Sequence, residues 1–273
     1  MNAWSHWETD FEIARAALAW QAEIGVDEAI CDTPQNRYDL PASRESATPR
    51  PAPPAASAPT APTAPAQAAT ADPVAEAQAA AAHAHDLPAL RAALGDFPHC
   101  ELRKGARNLV FADGQENARV MIVGEAPGRE EDLQGKPFVG EAGQMLDRMF
   151  AAIAMGRANP DPARALYITN ILPWRPPQNR DPSPEERAMM RPCVLRHIEL
   201  VAPDILILMG RISAMTMLET PEGITRIRGQ WREVAGRPAL PMLHPAYLLR
   251  NPAAKREAWA DLLDLNARLK ALS

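Results

Sequence analysis

Cysteine is scarce: Cys31, Cys100 and Cys193 are the only three in 273 residues. They are too few and too scattered for a disulfide framework, so a reducing compartment is expected. No apolar run approaches the length that spans a bilayer, and the N-terminus does not join a basic stretch to an apolar core. No membrane association is expected, and a cytoplasmic location is. Three common signatures of phosphate binding and nucleophilic catalysis are also missing: there is no Gly-x-Gly-x-x-Gly, no Gly-Lys-Ser/Thr ending and no Gly-x-Ser-x-Gly. Dinucleotide, P-loop and serine-hydrolase chemistry are therefore not indicated.

What the chain has in excess is proline, and nine of its 28 prolines fall between Pro41 and Pro73. The surrounding Ala, Thr and Ser offer almost nothing large to bury, so residues 41–86 read as a semi-extended, disordered linker. Before it, residues 1–40 form a tryptophan-rich arm. Trp7, Phe11, Ala14 and Leu18 repeat at helical spacing, as do Ile13, Ala17, Trp20 and Ile24. Such a helix either packs back on its own domain or docks on a protein partner. Residues 87–273 remain for the folded domain, which is read as a monomer.

The net charge of −5 hides a division. Residues 1–96 carry five Lys/Arg against thirteen Asp/Glu, whereas residues 97–273 carry twenty-four against twenty-one. The folded part is mildly basic, which suits a nucleic-acid partner without requiring one.

In residues 120–272, strand and helix patterns alternate. Strands are expected at 120–123, 166–169, 205–208 and 239–243, with helices at 143–155, 184–201, 212–218 and 253–272. Ser183 before Pro184-Glu-Glu is a helix start with a capping hydroxyl and acids in the first turn. The pattern implies an α/β fold: a three-layer α/β/α domain around a central, mostly parallel four-stranded sheet. Ligands of such sheets bind beyond the carboxyl ends of the strands. There the chain places Gly124-Glu-Ala-Pro-Gly128 with Glu131-Asp132, then Thr169-Asn170, Gly210-Arg211 and His244-Pro-Ala-Tyr-Leu-Leu-Arg250.

Over Gly124-Glu-Ala-Pro-Gly128, Glu131-Asp132 and Pro137-Phe-Val-Gly140, the chain resembles the first active-site motif of the family 4 uracil-DNA glycosylases. The resemblance continues through Thr169-Asn170, Arg175-Pro-Pro-Gln-Asn-Arg180, Gly229-Gln-Trp231 and His244-Pro-Ala-Tyr-Leu-Leu-Arg250, and covers most of residues 97–265. It implies base-excision repair: deoxyuridine is flipped out of DNA and its glycosidic bond hydrolysed, leaving an abasic site.

Such an enzyme must hold the flipped base, stabilise negative charge on its oxygen and bring water to the sugar. By resemblance, Gly124, Glu125, Ala126, Phe138, Asn170 and His244 line the uracil pocket. His244 would donate to the developing oxyanion, Asn170 would pair with the uracil edge, and Phe138 would stack on the base. Glu125 and Glu131 are the carboxylates for water, with Glu131 preferred; alternatively, one of them caps the following helix. Leu248 and Leu249 would wedge into the duplex and Arg250 hold phosphate, unless the leucines are buried at a helix start. Arg175 and Arg180 would be further phosphate contacts. A divalent ion on Glu130-Glu131-Asp132 is disfavoured, because no histidine or further acid follows at ligand spacing.

The family resembled carries a [4Fe-4S] cluster on four cysteines, and the corresponding positions here are Phe97, Cys100, Trp174 and Met190. Only one thiol remains, with Cys193 one helical turn beyond Met190. No cofactor is expected, and the three large apolar residues would fill the vacated volume. The rival reading is a DNA-binding or lesion-sensing module of the same fold that has lost turnover.

Overall fold

The computed structural model describes residues 72–272. The arm at 1–40 and the linker as far as residue 71 lie outside the described residues. Six strands form one sheet: β1 (Asp113–Gly114), β2 (Val120–Gly124), β3 (Leu166–Asn170), β4 (Ile205–Met209), β5 (Arg232–Val234) and β6 (Arg237–Met242), in the order β1-β3-β2-β4-β6-β5. The four inner strands are parallel and coincide with the four expected from sequence. The count of four was short because the two edge strands, β1 and β5, pair antiparallel with β3 and β6. Both are short and only partly buried, so neither carries the apolar run that marks the others. β5 and β6 meet in a two-residue turn, Ala235-Gly236, with φ of 50° and 72°, the left-handed pair that a tight hairpin needs.

Every residue of β2, β3 and β4 is buried, as in a sheet covered on both faces. Alternate side chains divide between two cores. Met121, Val123, Leu206 and Leu208 face one side; Val120, Ile122, Ile205 and Ile207 face the other. The first core is closed by α1 (Pro73–His83), α2 (Leu87–Asp96), α5 (Pro184–Val201) and α6 (Arg211–Leu218). The second is closed by α4 (Glu141–Ala151), α8 (Pro245–Arg250) and α9 (Lys255–Ala271). Two short helices, α3 (Arg129–Gln134) and α7 (Ile224–Ile227), lie in the connections. The three layers are as expected. No helix among the described residues is long and apolar enough to cross a membrane.

Helix α1 departs from expectation, since residues 73–86 read as linker. Asp72 caps it by accepting the Val74 N–H at 3.0 Å, and Pro73 takes the first helical position. Ala77 and Ala81, one turn apart, are buried against α5. His99 meets Glu76 at 2.6 Å, and Arg196 Nε donates to Ala84 O at 2.9 Å. A helix whose buried stripe is alanine alone has the composition of a linker, yet alanine is the best helix former. Residues 73–83 therefore belong to the packed domain rather than to the linker.

Candidate active site

The carboxyl ends of β2, β3, β4 and β6 open onto one cavity of about 600 Å³. Its lining includes Glu125, Ala126, Phe138, Asn170, His244 and Arg250. Residues more than a hundred positions apart are thus brought together by strand order alone.

Gly124 sits where any larger residue would collide. A Cβ there would lie 2.3 Å from Asn170 Oδ1 and 2.5 Å from the Phe138 ring. The glycine therefore lets the Asn170 amide and the Phe138 ring close on the end of β2. Asn170 is buried, and its side-chain amide makes no hydrogen bond among the described residues, so its donor and acceptor both remain available to a ligand.

Phe138 has a left-handed backbone, φ 54°, which a non-glycine residue adopts only under constraint. The constraint is visible. Arg157 donates to Pro137 O at 2.9 Å and Phe138 O at 2.8 Å, and is itself held by Asp113 at 3.1 Å and Asp147 at 3.0 Å. From the other side, Glu131 Oε1 accepts the N–H groups of Val139 (2.9 Å) and Gly140 (2.8 Å), while its Oε2 accepts Gly128 N–H at 3.1 Å. The Phe138 ring is largely buried, stacked 5.4 Å from His244 with 30° between the planes.

These bonds decide between the two carboxylates. Glu131, preferred for water on sequence grounds, lines the cavity but has both oxygens engaged by backbone N–H groups, which is the capping alternative. Asp132 is similarly engaged, accepting from Arg107 N–H at 2.8 Å and Asn108 N–H at 3.2 Å. The Glu125 carboxylate has no hydrogen bond or ion pair among the described residues and lines the cavity. Burial, and secondarily the Asp181 carboxylate, push its pKa up to about 7, against the opposing pull of Arg211 and Arg187.

His244 caps α8, its Nδ1 accepting the Ala246 N–H at 3.2 Å. A nitrogen that accepts carries no proton, so the neutral ring must hold its proton on Nε2, the edge left for the cavity. Burial, reinforced by Arg250 and opposed by Glu131, lowers the His244 pKa to about 4. The ring is a neutral donor at physiological pH. His197 makes the contrast. It is buried behind the sheet with its Nε2 2.8 Å from Tyr167 OH and its ring stacked on Phe111, a histidine satisfied within the core.

The expected DNA contacts divide. Leu248 is 0% exposed and packs in the second core, so it cannot wedge into a duplex; Leu249 is 38% exposed. On a helix, consecutive residues point in different directions, and α8 turns one leucine inward and the next outward. Tyr247, not singled out by sequence, is exposed and lines the cavity, as does Arg250. Arg180 is paired bidentately with Glu186 at 2.9 and 2.7 Å, and Arg175 with Asn179 at 2.8 Å. Asp181, also missed, shares the lining with Arg211, which the sequence placed at a strand end without a role, and the two pair with each other.

Phe97, Cys100, Trp174 and Met190 are all buried in the first core, as is Cys193. A [4Fe-4S] cluster needs four thiolates; two thiols and three large apolar side chains do not fit one. Among the described residues, no three of His, Cys, Asp or Glu are grouped as a metal would require.

A sequence model described as Uracil DNA glycosylase superfamily matches residues 111–263. The chain is 38% identical over 170 residues to a type-4 uracil-DNA glycosylase of Archaeoglobus fulgidus, covering 59% of this chain and 82% of that protein. It is 36% identical to the type-4 uracil-DNA glycosylase of Thermotoga maritima, covering 56% and 77%, and 38% identical to that of Saccharolobus solfataricus, covering 63% and 81%. The chain belongs to the uracil DNA glycosylase superfamily, on its type-4 branch.

Proposed function

We propose that the chain is a DNA repair hydrolase that flips deoxyuridine out of DNA and cleaves its glycosidic bond, releasing uracil. The observation that carries this reading is the pairing of an unbonded Asn170 amide with a neutral, Nε2-protonated His244 in one cavity floored by the Phe138 ring. Asn170 offers both a donor and an acceptor to the uracil edge. Phe138 stacks on the base. As the bond breaks, negative charge grows on the uracil oxygen, and the His244 Nε2–H stabilises it; preorganised donors of this kind are worth about 3–4 kcal/mol. Because the imidazole is already neutral, this donor needs no change of protonation during the reaction. Glu125, the free carboxylate, orients water toward the sugar and offsets its developing positive charge. Glu131 acts one step back, holding the 137–140 loop in place.

On the DNA side, Arg250 contacts phosphate, and Leu249 with Tyr247 presents the apolar surface against the unstacked duplex. Arg175 and Arg180 join as phosphate contacts when DNA draws them from Asn179 and Glu186. The chemistry proceeds without an iron–sulfur cluster. Phe97, Trp174 and Met190 stand as an apolar plug where the family's ligands would be, and their complete burial supports this. Uracil-containing DNA is the macromolecular partner. Docking of the tryptophan-rich N-terminal helix on another protein, a monomeric state and a cytoplasmic location complete the reading.

The test is a single-uracil oligonucleotide duplex treated with the purified full chain and then with alkali. Strand scission at the uracil position, absent with thymine in its place, is expected. No scission with a chain that binds the duplex would favour the inactive module instead.

A further inference from the structure

Arg211 has no part in the reading above, yet its position is unusual. Strands β3 and β4 flank β2 on opposite sides. Asp181 lies on the loop that leaves β3, Arg211 opens α6 directly after β4, and Glu125 follows β2 between them. Arg211 Nη2 donates to Asp181 Oδ2 at 2.5 Å. This ion pair joins the two outer strand ends across the end of β2, and all three side chains line the same cavity.

The pair is well exposed, 48% for the arginine side chain and 66% for the aspartate. Ion pairs this wet contribute little and exchange readily. The other rim arginines differ. Arg180 is held bidentately by Glu186, which also caps α5, and the Arg250 side chain has no hydrogen bond or ion pair among the described residues. Arg211 is held by one solvated carboxylate and by a weaker bond from Nη1 to Met215 Sδ at 3.4 Å on its own helix.

That carboxylate stands at the mouth of a cavity that must take in a nucleotide flanked by phosphates. A guanidinium offers the same planar fork to a carboxylate and to a phosphate, so transfer from one to the other exchanges like for like. We propose that Arg211 is a further DNA-backbone contact, held by Asp181 in the free protein and passed to a phosphate of the bound strand. Asp181 is then the competitor that DNA displaces. The identity of the ligand rests on the glycosylase reading.

The test is a double-mutant cycle on the full chain, using Arg211→Ala, Asp181→Asn and the pair together. Each protein is titrated with a duplex bearing one 2′-fluoro-2′-deoxyuridine, whose fluorine slows glycosidic cleavage, over a range of salt. Arg211→Ala should weaken binding about fivefold to tenfold and reduce the salt slope by about one. Asp181→Asn should tighten binding about threefold to tenfold with Arg211 present but by less than about twofold in the Arg211→Ala background, the non-additivity of two groups that interact. Arg211→Lys, which keeps the charge, should restore most of the affinity and the slope. Equal tightening by Asp181→Asn in both backgrounds, an unchanged salt slope in Arg211→Ala, or no binding by the wild-type chain would each overturn the proposal. Uracil release is measured in parallel on the unmodified substrate. Coupling in the cycle without release would sink the glycosylase reading and leave the Arg211 contact standing; release without coupling would do the reverse.

Discussion

Replacing Glu125 by Gln should slow the enzyme and stabilise the fold, and both effects should depend on pH through the same carboxyl. In the folded chain the carboxyl titrates near 7 instead of at its usual 4.5. The water-orienting form is the carboxylate, so its population grows about tenfold between pH 6 and pH 8 for a group titrating at about 7. With the usual pKa it would already be full at pH 6. His244, lowered to about 4, does not titrate in this window. Single-turnover excision by the wild-type chain should therefore rise about tenfold from pH 6 to pH 8, and the Glu125→Gln variant should be slower and flat. For stability the sign runs the other way. A carboxyl whose folded pKa exceeds its unfolded pKa binds its proton more tightly when folded, so stability is undiminished below about 4.5 and falls as pH rises toward about 7. The full shift corresponds to roughly 3 kcal/mol, and because the carboxylate opens on a solvated cavity about 1–2 kcal/mol is the better expectation. Denaturant melts of Glu125→Gln should show that gain at pH 8 and none at pH 4. A wild-type rate that is level between pH 6 and 8, or a variant that keeps the same rising limb, would refute the assignment.

His244→Ala should reduce the chemical step by about two to three orders of magnitude while leaving duplex affinity nearly intact; single-turnover rates unchanged from wild type would remove the imidazole from the mechanism. Trp174→Ala should lower stability by about 3–5 kcal/mol in a denaturant melt, through the cavity it opens in the first core. The same preparation of wild-type protein, purified without oxygen, should be colourless and free of iron, and stoichiometric iron with sulfide would reverse the plug reading. Removal of residues 1–71 should leave excision by the remaining chain intact, since no site residue lies there, whereas removal through residue 86 takes away α1 and should lower the thermal midpoint. A folded but inactive 72–273 fragment would show that the arm takes part in the chemistry.

The parts of this fold that sequence revealed are those whose physics is local. Each of the four parallel strands carries a buried apolar run, and α5 announces itself through Ser183, Pro184 and the acids behind them, of which Ser183 and Glu186 form a capping box. Glu125, Asn170 and His244 could be placed beside one another too, because each lies at or just beyond the last residue of a strand. What could not be read were consequences of three-dimensional bonding. Glu125 and Glu131 are both acids beyond β2, and only the three backbone N–H groups on Glu131 separate a brace from a free carboxylate. Leu248 and Leu249 are adjacent and alike; the rotation of α8 puts one in the core. Helix α1 was hidden by its composition, since alanine at every second or third position resembles the tract before it. The ion pair between Asp181 and Arg211 spans thirty residues and follows from strand order, which no short motif records.

The backbone of residues 137–140 takes its bonds from Arg157 and Glu131, neither of which touches the ring that the loop displays. The path of the loop is thus set by its carbonyls and amides, while the Phe138 ring packs separately against Gly124 and His244. Tyr in place of Phe138 would ride on the same backbone and bring a hydroxyl to the cavity. Base preference can therefore drift at this position without the fold having to be rebuilt, whereas a change at Arg157 or Glu131 alters the loop for every substrate at once. Adaptability belongs to a residue inside the loop and rigidity to two that brace it from outside.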